Sequence, residues 1–297
     1  MNKAKRSKKG YVGLLYITPW ILGFLIFQLY PFLSSFVYSF TSYSILKKPE
    51  FIGLSNYIKL ASDPMFLQSL KVTFLYVLIA VPGKLIFALI IALILNMKIR
   101  GIGIFRTVYY LPSIFGGSVA VALLWKALFM HEGTVNHILS VFQIPPIDWL
   151  GDSRIALTTI TLLNVWQFGS SMVLFLAGLK QIPNELYEAA SVDGSTKLHS
   201  FVHITLPMLS PIVLFNLVMQ MINAFQDFTG SFIVTKGGPN NSTYLFGMLL
   251  YDNAFKYFRM GYASALSWVL FIIIMIFTVI IFKSSKNWTF YENGGDI

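Results

Sequence analysis

The chain has 297 residues, of which 56% are hydrophobic and only 11% charged, and its mean hydropathy is +0.69. That balance excludes a soluble globular domain, which carries roughly 25% charged residues, and the absence of cysteine excludes disulfides and thiolate metal sites. The net charge of +10 does not point to nucleic acid, because the basic residues sort by side of a membrane.

Six apolar stretches are long enough to cross a bilayer as helices, which takes about 20 residues. They run roughly over 12–40, 68–97, 105–130, 155–180, 208–229 and 262–283. Continuous runs such as Leu266 to Phe282 predict helices rather than the alternating strands of a barrel. The expected fold class is therefore all-α, a polytopic membrane protein with six transmembrane helices in a single domain over 1–297. The basic run Lys3 to Lys9 before the first stretch resembles a signal peptide. The stretch is longer than a signal's apolar region and contains Pro19 and Pro31, so it reads as a retained helix behind a tail at 1–10.

Segment 41–67 carries Pro49, Gly53, Asn56 and Asp63-Pro64, which predicts a loop with one short helix. Asn96, Lys98, Arg100, Gly101 and Gly103 make a tight basic turn between the second and third spans. Pro145-Pro146 stops any helix before the fourth. In segment 230–261, Lys236 to Asn241 predicts a turn, and the aromatic stretch Tyr251 to Tyr262 predicts an interfacial helix leading into the sixth span. With the N-terminus cytoplasmic, the inner side holds twelve basic residues and the outer side seven, which favours both termini inside.

The inner segment 181–207 differs in kind. Pro183-Asn184 with Glu185 and Glu188 reads as a helix start and Gly194 as its stop. Ser195 then caps a second helix with Leu198, Phe201, Val202 and Leu206 at helical spacing, closed by Pro207. The pair reads either as an amphipathic linker on lipid headgroups or as a docking element. Lipid-bound linkers favour basic polar faces, whereas Glu185, Glu188 and Asp193 face a single Lys197, which favours docking to a protein.

Polar residues also recur within the spans. Asn216, Gln220, Asn223 and Asp227 step by four, three and four in the fifth; Thr161, Asn164, Gln167 and Ser171 step by three, three and four in the fourth, beside Trp166. The stripes read either as interhelical hydrogen-bond glue or as two walls of a shared hydrated cavity. Amides beside aromatics suit a neutral, hydroxyl-rich solute better than an ion. Lys84, near the middle of the second span, is a functional candidate by its depth alone. Asp227 and Lys126 lie near helix ends, where they can snorkel to water.

Gly83-Lys84 lacks the upstream glycine of a phosphate loop, so nucleotide chemistry must come from elsewhere. His199 and His203 are four apart, but Ser200 follows His199 where a metalloprotease motif has glutamate. His131, Glu132 and His137 read as solvated loop residues, and no metal site is expected.

With these residues in view, the chain resembles the membrane-spanning permease subunits of ATP-binding-cassette importers, in particular the carbohydrate group that includes the maltose and glycerol-phosphate permeases. The resemblance is carried by Glu188-Ala189-Ala190, Gly194 and Ile204-Thr205-Leu206-Pro207 at full spacing. In order around them stand Thr18-Pro19-Trp20, Tyr30-Pro31, Phe51 to Tyr57, Leu95-Asn96 through Arg106, Ala224-Phe225-Gln226, Thr235 to Pro239 and Gly261 to Ala265. It implies the six-span type I importer fold, with Glu188, Ala189, Ala190, Asp193 and Gly194 in a coupling helix seated in a groove of an ATPase. It implies a loop at Gly237, Gly238 and Pro239 near a docked binding protein, a second homologous permease, and a homodimeric ATPase that alone binds ATP and magnesium, with no cofactor in this chain. It implies a bacterial or archaeal cell membrane and no enzymatic activity.

The favoured function is thus half of the translocation pathway of an ATP-driven sugar importer, with Asn164, Trp166, Gln167, Gln220, Asn223 and Asp227 as pathway residues. An ion-coupled secondary transporter titrating Lys84 or Asp227 is the rival. An intramembrane metalloenzyme using His199 and His203 is the third reading. The large extra outer domain of the maltose permease has no counterpart in 41–67.

Overall fold

The computed structural model describes residues 16–45, 47–97 and 100–290; the basic run Lys3 to Lys9, the tail 1–10 and Lys98 lie outside them. Among the described residues the regular structure is helical, with two isolated antiparallel bridges, Thr41 to Phe51 and Ser44 to Lys47. Four helices are long and apolar enough to cross a membrane: α1 (Tyr16–Ser39), α3 (Pro64–Leu95), α10 (Lys197–Phe225) and α12 (Met260–Ser285). The shorter ones are α2 (Ser55–Ala61), α4 (Ile102–Ile114), α5 (Val119–Phe129), α6 (Thr134–Val141), α7 (Ala156–Trp166), α8 (Gly169–Leu179), α9 (Asn184–Val192) and α11 (Phe246–Tyr251).

The third and fourth spans are not the straight helices expected. Ile102–Ile114 and Val119–Val141 meet at 100°, and α7 and α8 at 46°; counting each bent pair as one span gives six. Pro112 near the end of α4 is followed by Gly116 and Gly117, the latter at φ +74°, so the chain loses helical hydrogen bonds and turns. Two other prolines behave in the opposite way. Pro207 does not close the second helix of the 181–207 loop, as its ring predicts, because α10 runs through it. A π turn over Phe201–Thr205 immediately precedes it, and the same arrangement, a π turn over Leu25–Leu29, precedes Pro31 in α1. A widened turn makes room for a ring that would otherwise strike the carbonyl four residues back.

The described residues form two compact units, Pro64–Leu249 with the segment from Phe271, and the segment to Asp63 with Leu250–Leu270. In the larger unit α3 packs against α7, α8 and α10. Its core is two clusters: Val72, Tyr76, Ala80, Leu157, Ile160 and Leu163 with their neighbours, and Ala88, Ala92, Phe168, Met172, Phe175 and Leu209 with theirs. Lipid is as apolar as these side chains, so close van der Waals packing holds such helices together. Ala80, Ala88 and Ala92, all fully buried, let the backbones approach.

In the smaller unit the loop after α1 is tied by side chains. Asn56 Nδ2 donates to the Ser39 and Thr41 carbonyls at 2.8 and 2.9 Å, and Tyr57 Oη donates to Ser39 Oγ at 2.8 Å. Tyr262 Oη donates to Asp63 at 2.6 Å. A Cβ at Gly261 would stand 2.1 Å from the Thr41 carbonyl oxygen, so only glycine fits. The expected interfacial helix over Tyr251 to Tyr262 is interrupted: a π turn over Asp252–Lys256 ends it, Phe258 takes φ +55°, and α12 starts afresh at Met260.

Candidate functional site

The two polar stripes meet. A cavity of about 370 Å³ inside the larger unit is lined by Asn164 and Gln167 from the fourth span and by Gln220, Asn223 and Asp227 from the fifth, together with Lys84 from α3. The rest of its polar wall comes from around helix breaks: Ser113 in the last turn of α4, Gly116, Gly117 and Ser118 between α4 and α5, Ser170 at the start of α8, and Thr229 and Gly230 beyond α10. Backbone that leaves a helix at membrane depth must be buried in protein or line water; here three breaks open on one cavity. Ser113 fixes two of them together, since its hydroxyl donates to the Gln167 carbonyl at 3.2 Å and accepts from the Ser170 N–H at 3.0 Å.

Asp227, expected to snorkel, is instead held in place. Tyr76, fully buried in α3, donates its hydroxyl to the Asp227 carboxylate, and Asn164 is a further hydrogen-bond neighbour. Lys84 is 7% exposed and lines the cavity.

Other stripe members are elsewhere. Thr161 donates to the Leu157 carbonyl at 2.7 Å and Asn216 to that of Ile212 at 3.1 Å, both inside their own helices, and Ser171 is fully buried. Trp166 does not line the cavity; it packs on Trp125 at 5.9 Å between ring centres, and Trp125 Nε1 donates to the Thr159 carbonyl at 3.0 Å. The break at Gln167 explains the split, because a stripe counted across it assumes a helical phase that restarts at Gly169. Ser113, Ser118, Ser170 and Thr229 escape the stripe pattern, and their one sequence signal is Pro112 with Gly116-Gly117 inside an apolar span.

The 181–207 loop lies in the same unit. Helix α9 begins at Asn184 behind extended Pro183 and carries Glu185 in its first turn. Glu188, Ala189 and Asp193 are exposed and Ala190 half-buried. Gly194 takes φ +76°, the left-handed conformation that favours glycine at a helix end. The cap of the next helix is Thr196, not Ser195: Thr196 Oγ1 accepts from the His199 N–H at 3.3 Å, while Ser195 Oγ pairs with Ser200 Oγ at 3.1 Å. Thr196 wins because its backbone is extended directly before the first helical residue. Two residues, Tyr187 and Val192, have no counterpart in the sequence pattern. Tyr187 Oη bonds Thr205 Oγ1 at 2.8 Å, bracing α9 against the base of α10. Val192 is 88% and Leu198 72% exposed, an apolar surface beside the acidic one.

His199 and His203 stack at 3.9 Å between ring centres, and among the described residues no three His, Cys, Asp or Glu side chains gather as a metal site. The loop at Gly237, Gly238 and Pro239 is a bonded knot: Thr243 Oγ1 donates to the Gly238 carbonyl at 2.7 Å, and the Gly238 N–H donates to that of Thr235 at 3.0 Å. Gly237 is buried, and the exposed positions are Lys236, Asn240 and Asn241, so the glycines and proline shape this loop while its neighbours present it.

Residues 65–287 match the family described as binding-protein-dependent transport system inner membrane component. The chain belongs to that family. A probable ABC transporter permease protein of Bacillus subtilis, YesP, is 49% identical over 99% of this chain and 96% of its own length. The lactose transport system permease protein LacF of Rhizobium radiobacter is 34% identical over 93% and 94%. Among solved structures, a chain of a bacterial ABC transporter involved in import of the acidic polysaccharide alginate superposes with TM-score 0.84, covering 96% of this chain and 99% of that one at 22% identity; the two share the fold. The family is one of multi-pass membrane permeases and not of enzymes, and an ion-coupled transporter has no support in it.

Proposed function

We propose that this chain forms half of the translocation pathway of an ATP-driven importer for a sugar or oligosaccharide, and that the 181–207 loop couples it to a separate ATPase. The observation that carries this reading is continuity between loop and cavity. Helix α8 enters the loop and α10 leaves it; α10 delivers Gln220 and Asn223 to the cavity wall and Ser170 starts α8 at the same wall. At about 1.5 Å per residue, the 29 residues of α10 make a rod of roughly 43 Å, so a shift of the loop is carried to the solute without an intermediate joint. A saccharide is supported by the amide and hydroxyl lining, which can exchange hydrogen bonds with sugar hydroxyls, and by the 34% identical relative named for lactose transport.

In this reading Glu188, Ala189, Ala190, Asp193 and Gly194 seat in a groove of the ATPase, with Val192 and Leu198 as apolar anchors. Asn164, Gln167, Gln220, Asn223 and Asp227 contact the solute, while Trp166 supports the wall from behind. The knot at Gly237 to Pro239 holds Lys236, Asn240 and Asn241 toward an extracytoplasmic binding protein. A second permease chain completes the pathway, ATP and magnesium are bound by a homodimeric ATPase, and both termini are cytoplasmic in a prokaryotic cell membrane. Closure of the ATPase on ATP favours the outward-facing state of an alternating-access cycle. Purification of the tagged chain from its native membrane, with mass-spectrometric identification of what stays bound, tests this. An ATPase and a second six-span permease are expected; a stable chain that transports alone overturns it.

A further inference from the structure

Lys84 has no part in the hydrogen-bonding scheme of the cavity it lines. Its side chain is more than nine-tenths buried, yet no ion pair or hydrogen bond to it occurs among the described residues. Asp227 acts on it through space, but the hydrogen bonds of that carboxylate go to Tyr76 and Asn164. A buried cation left without a partner is strongly destabilising, and in a membrane span such a group marks a substrate path. Its neighbours in the lining include amides and a hydroxyl: Gln167, Gln220, Asn223 and Ser113. The cavity therefore offers a cation that makes no hydrogen bond or ion pair among the described residues, within a lining suited to sugar hydroxyls.

We propose that Lys84 binds a carboxylate of the transported solute, so that the substrate is a uronate-containing oligosaccharide rather than the neutral sugar that the amide stripes alone suggest. The proposal rests on the importer reading above. Asp227 faces the same cavity, which disfavours a dianionic phosphate ester, because its second charge would meet a carboxylate; a monoanionic uronate needs only one cation. The Asp227 carboxylate is engaged by Tyr76 and Asn164, and no ion pair joins it to Lys84 among the described residues. A charge-assisted hydrogen bond in such a site is also stronger than a neutral one.

The test is uptake by cells carrying the complete importer of radiolabelled uronate disaccharides, their methyl esters and their neutral hexose counterparts. Uronate uptake is expected, lowered by Lys84→Met roughly ten- to hundred-fold, with Lys84→Arg retaining it and the esters unaffected by either change. Uptake of neutral sugars with uronates refused, or uronate uptake unchanged in Lys84→Met, overturns the proposal and leaves the importer reading standing. Import of no saccharide overturns both. Should Lys84→Met fail to reach the membrane, acetylation of Lys84 by acetic anhydride in the purified wild-type complex, followed by mass spectrometry, decides the matter. Protection by the uronate and not by its methyl ester is expected; equal protection or none overturns the proposal.

Discussion

The cavity and the 181–207 loop belong to one compact unit and share two helices, but they are built on opposite principles. The loop is exposed, and its acidic and small residues follow one another along the chain: Glu188, Ala189 and Ala190 lie on α9, and Gly194 makes the left-handed turn just beyond its end. The cavity is recessed among the helices, and its lining is scattered; Lys84, Ser113, Gln167 and Gln220 come from four parts of the chain. A surface that seats a partner can be written in one short segment, because the partner supplies the other half of every contact. A polar site recessed among apolar helices must find most of its own hydrogen bonds, so it draws on several helices and on the breaks between them.

If that division holds, changes in the loop should abolish coupling without touching solute binding. The largest expected effect is Gly194→Val. A β-branched residue at φ +76° is strained by about 1–2 kcal/mol and misdirects the turn, so ATP-driven uptake should be lost while the purified complex still binds solute; retained uptake would break the comparison. Next comes Tyr76→Phe, which removes the donor to the Asp227 carboxylate. Losing a hydrogen bond to a charged group is worth roughly 1.5–3 kcal/mol, and uptake should fall about tenfold or more with ATPase association unchanged, read by co-purification.

A smaller effect sharpens the local assignment of the loop. Thr196→Ala should lower thermal stability of the purified complex by about 1 kcal/mol, the usual loss on removing an N-cap, whereas Ser195→Ala should change it less; the reverse order would restore Ser195 as the cap. Smallest of all is the exposed Arg154 to Asp152 pair, joined at 2.8 Å. Its hydrogen bonds from Arg154 hold the Asp152 carboxyl below the usual range. Arg154→Ala should let Asp152 titrate at the ordinary value, visible by carbon NMR, with no measurable change in uptake. Any stabilisation from this pair is present at neutral pH and is lost only as the pH falls through the depressed value, so acid and not alkali would reveal it.

The sequence determined the class, the number of spans and the loop. Each is set by local quantities: apolar length against bilayer thickness, the acidic first turn of α9, and a glycine at a left-handed position. Its stripes also pointed to Asn164, Gln167, Gln220, Asn223 and Asp227, which do line one cavity, because a 3.6-residue period holds up to the end of each helix. Tertiary structure decided the rest. Whether a proline is absorbed, as at Pro207 behind its π turn, or turns the chain, as near Pro112, depends on whether the neighbouring helices can satisfy the freed backbone. Trp166 turned from the cavity to pack on Trp125, and Lys84 gained its setting there, because contacts across helices follow from how the rods cross and no single-helix pattern encodes that.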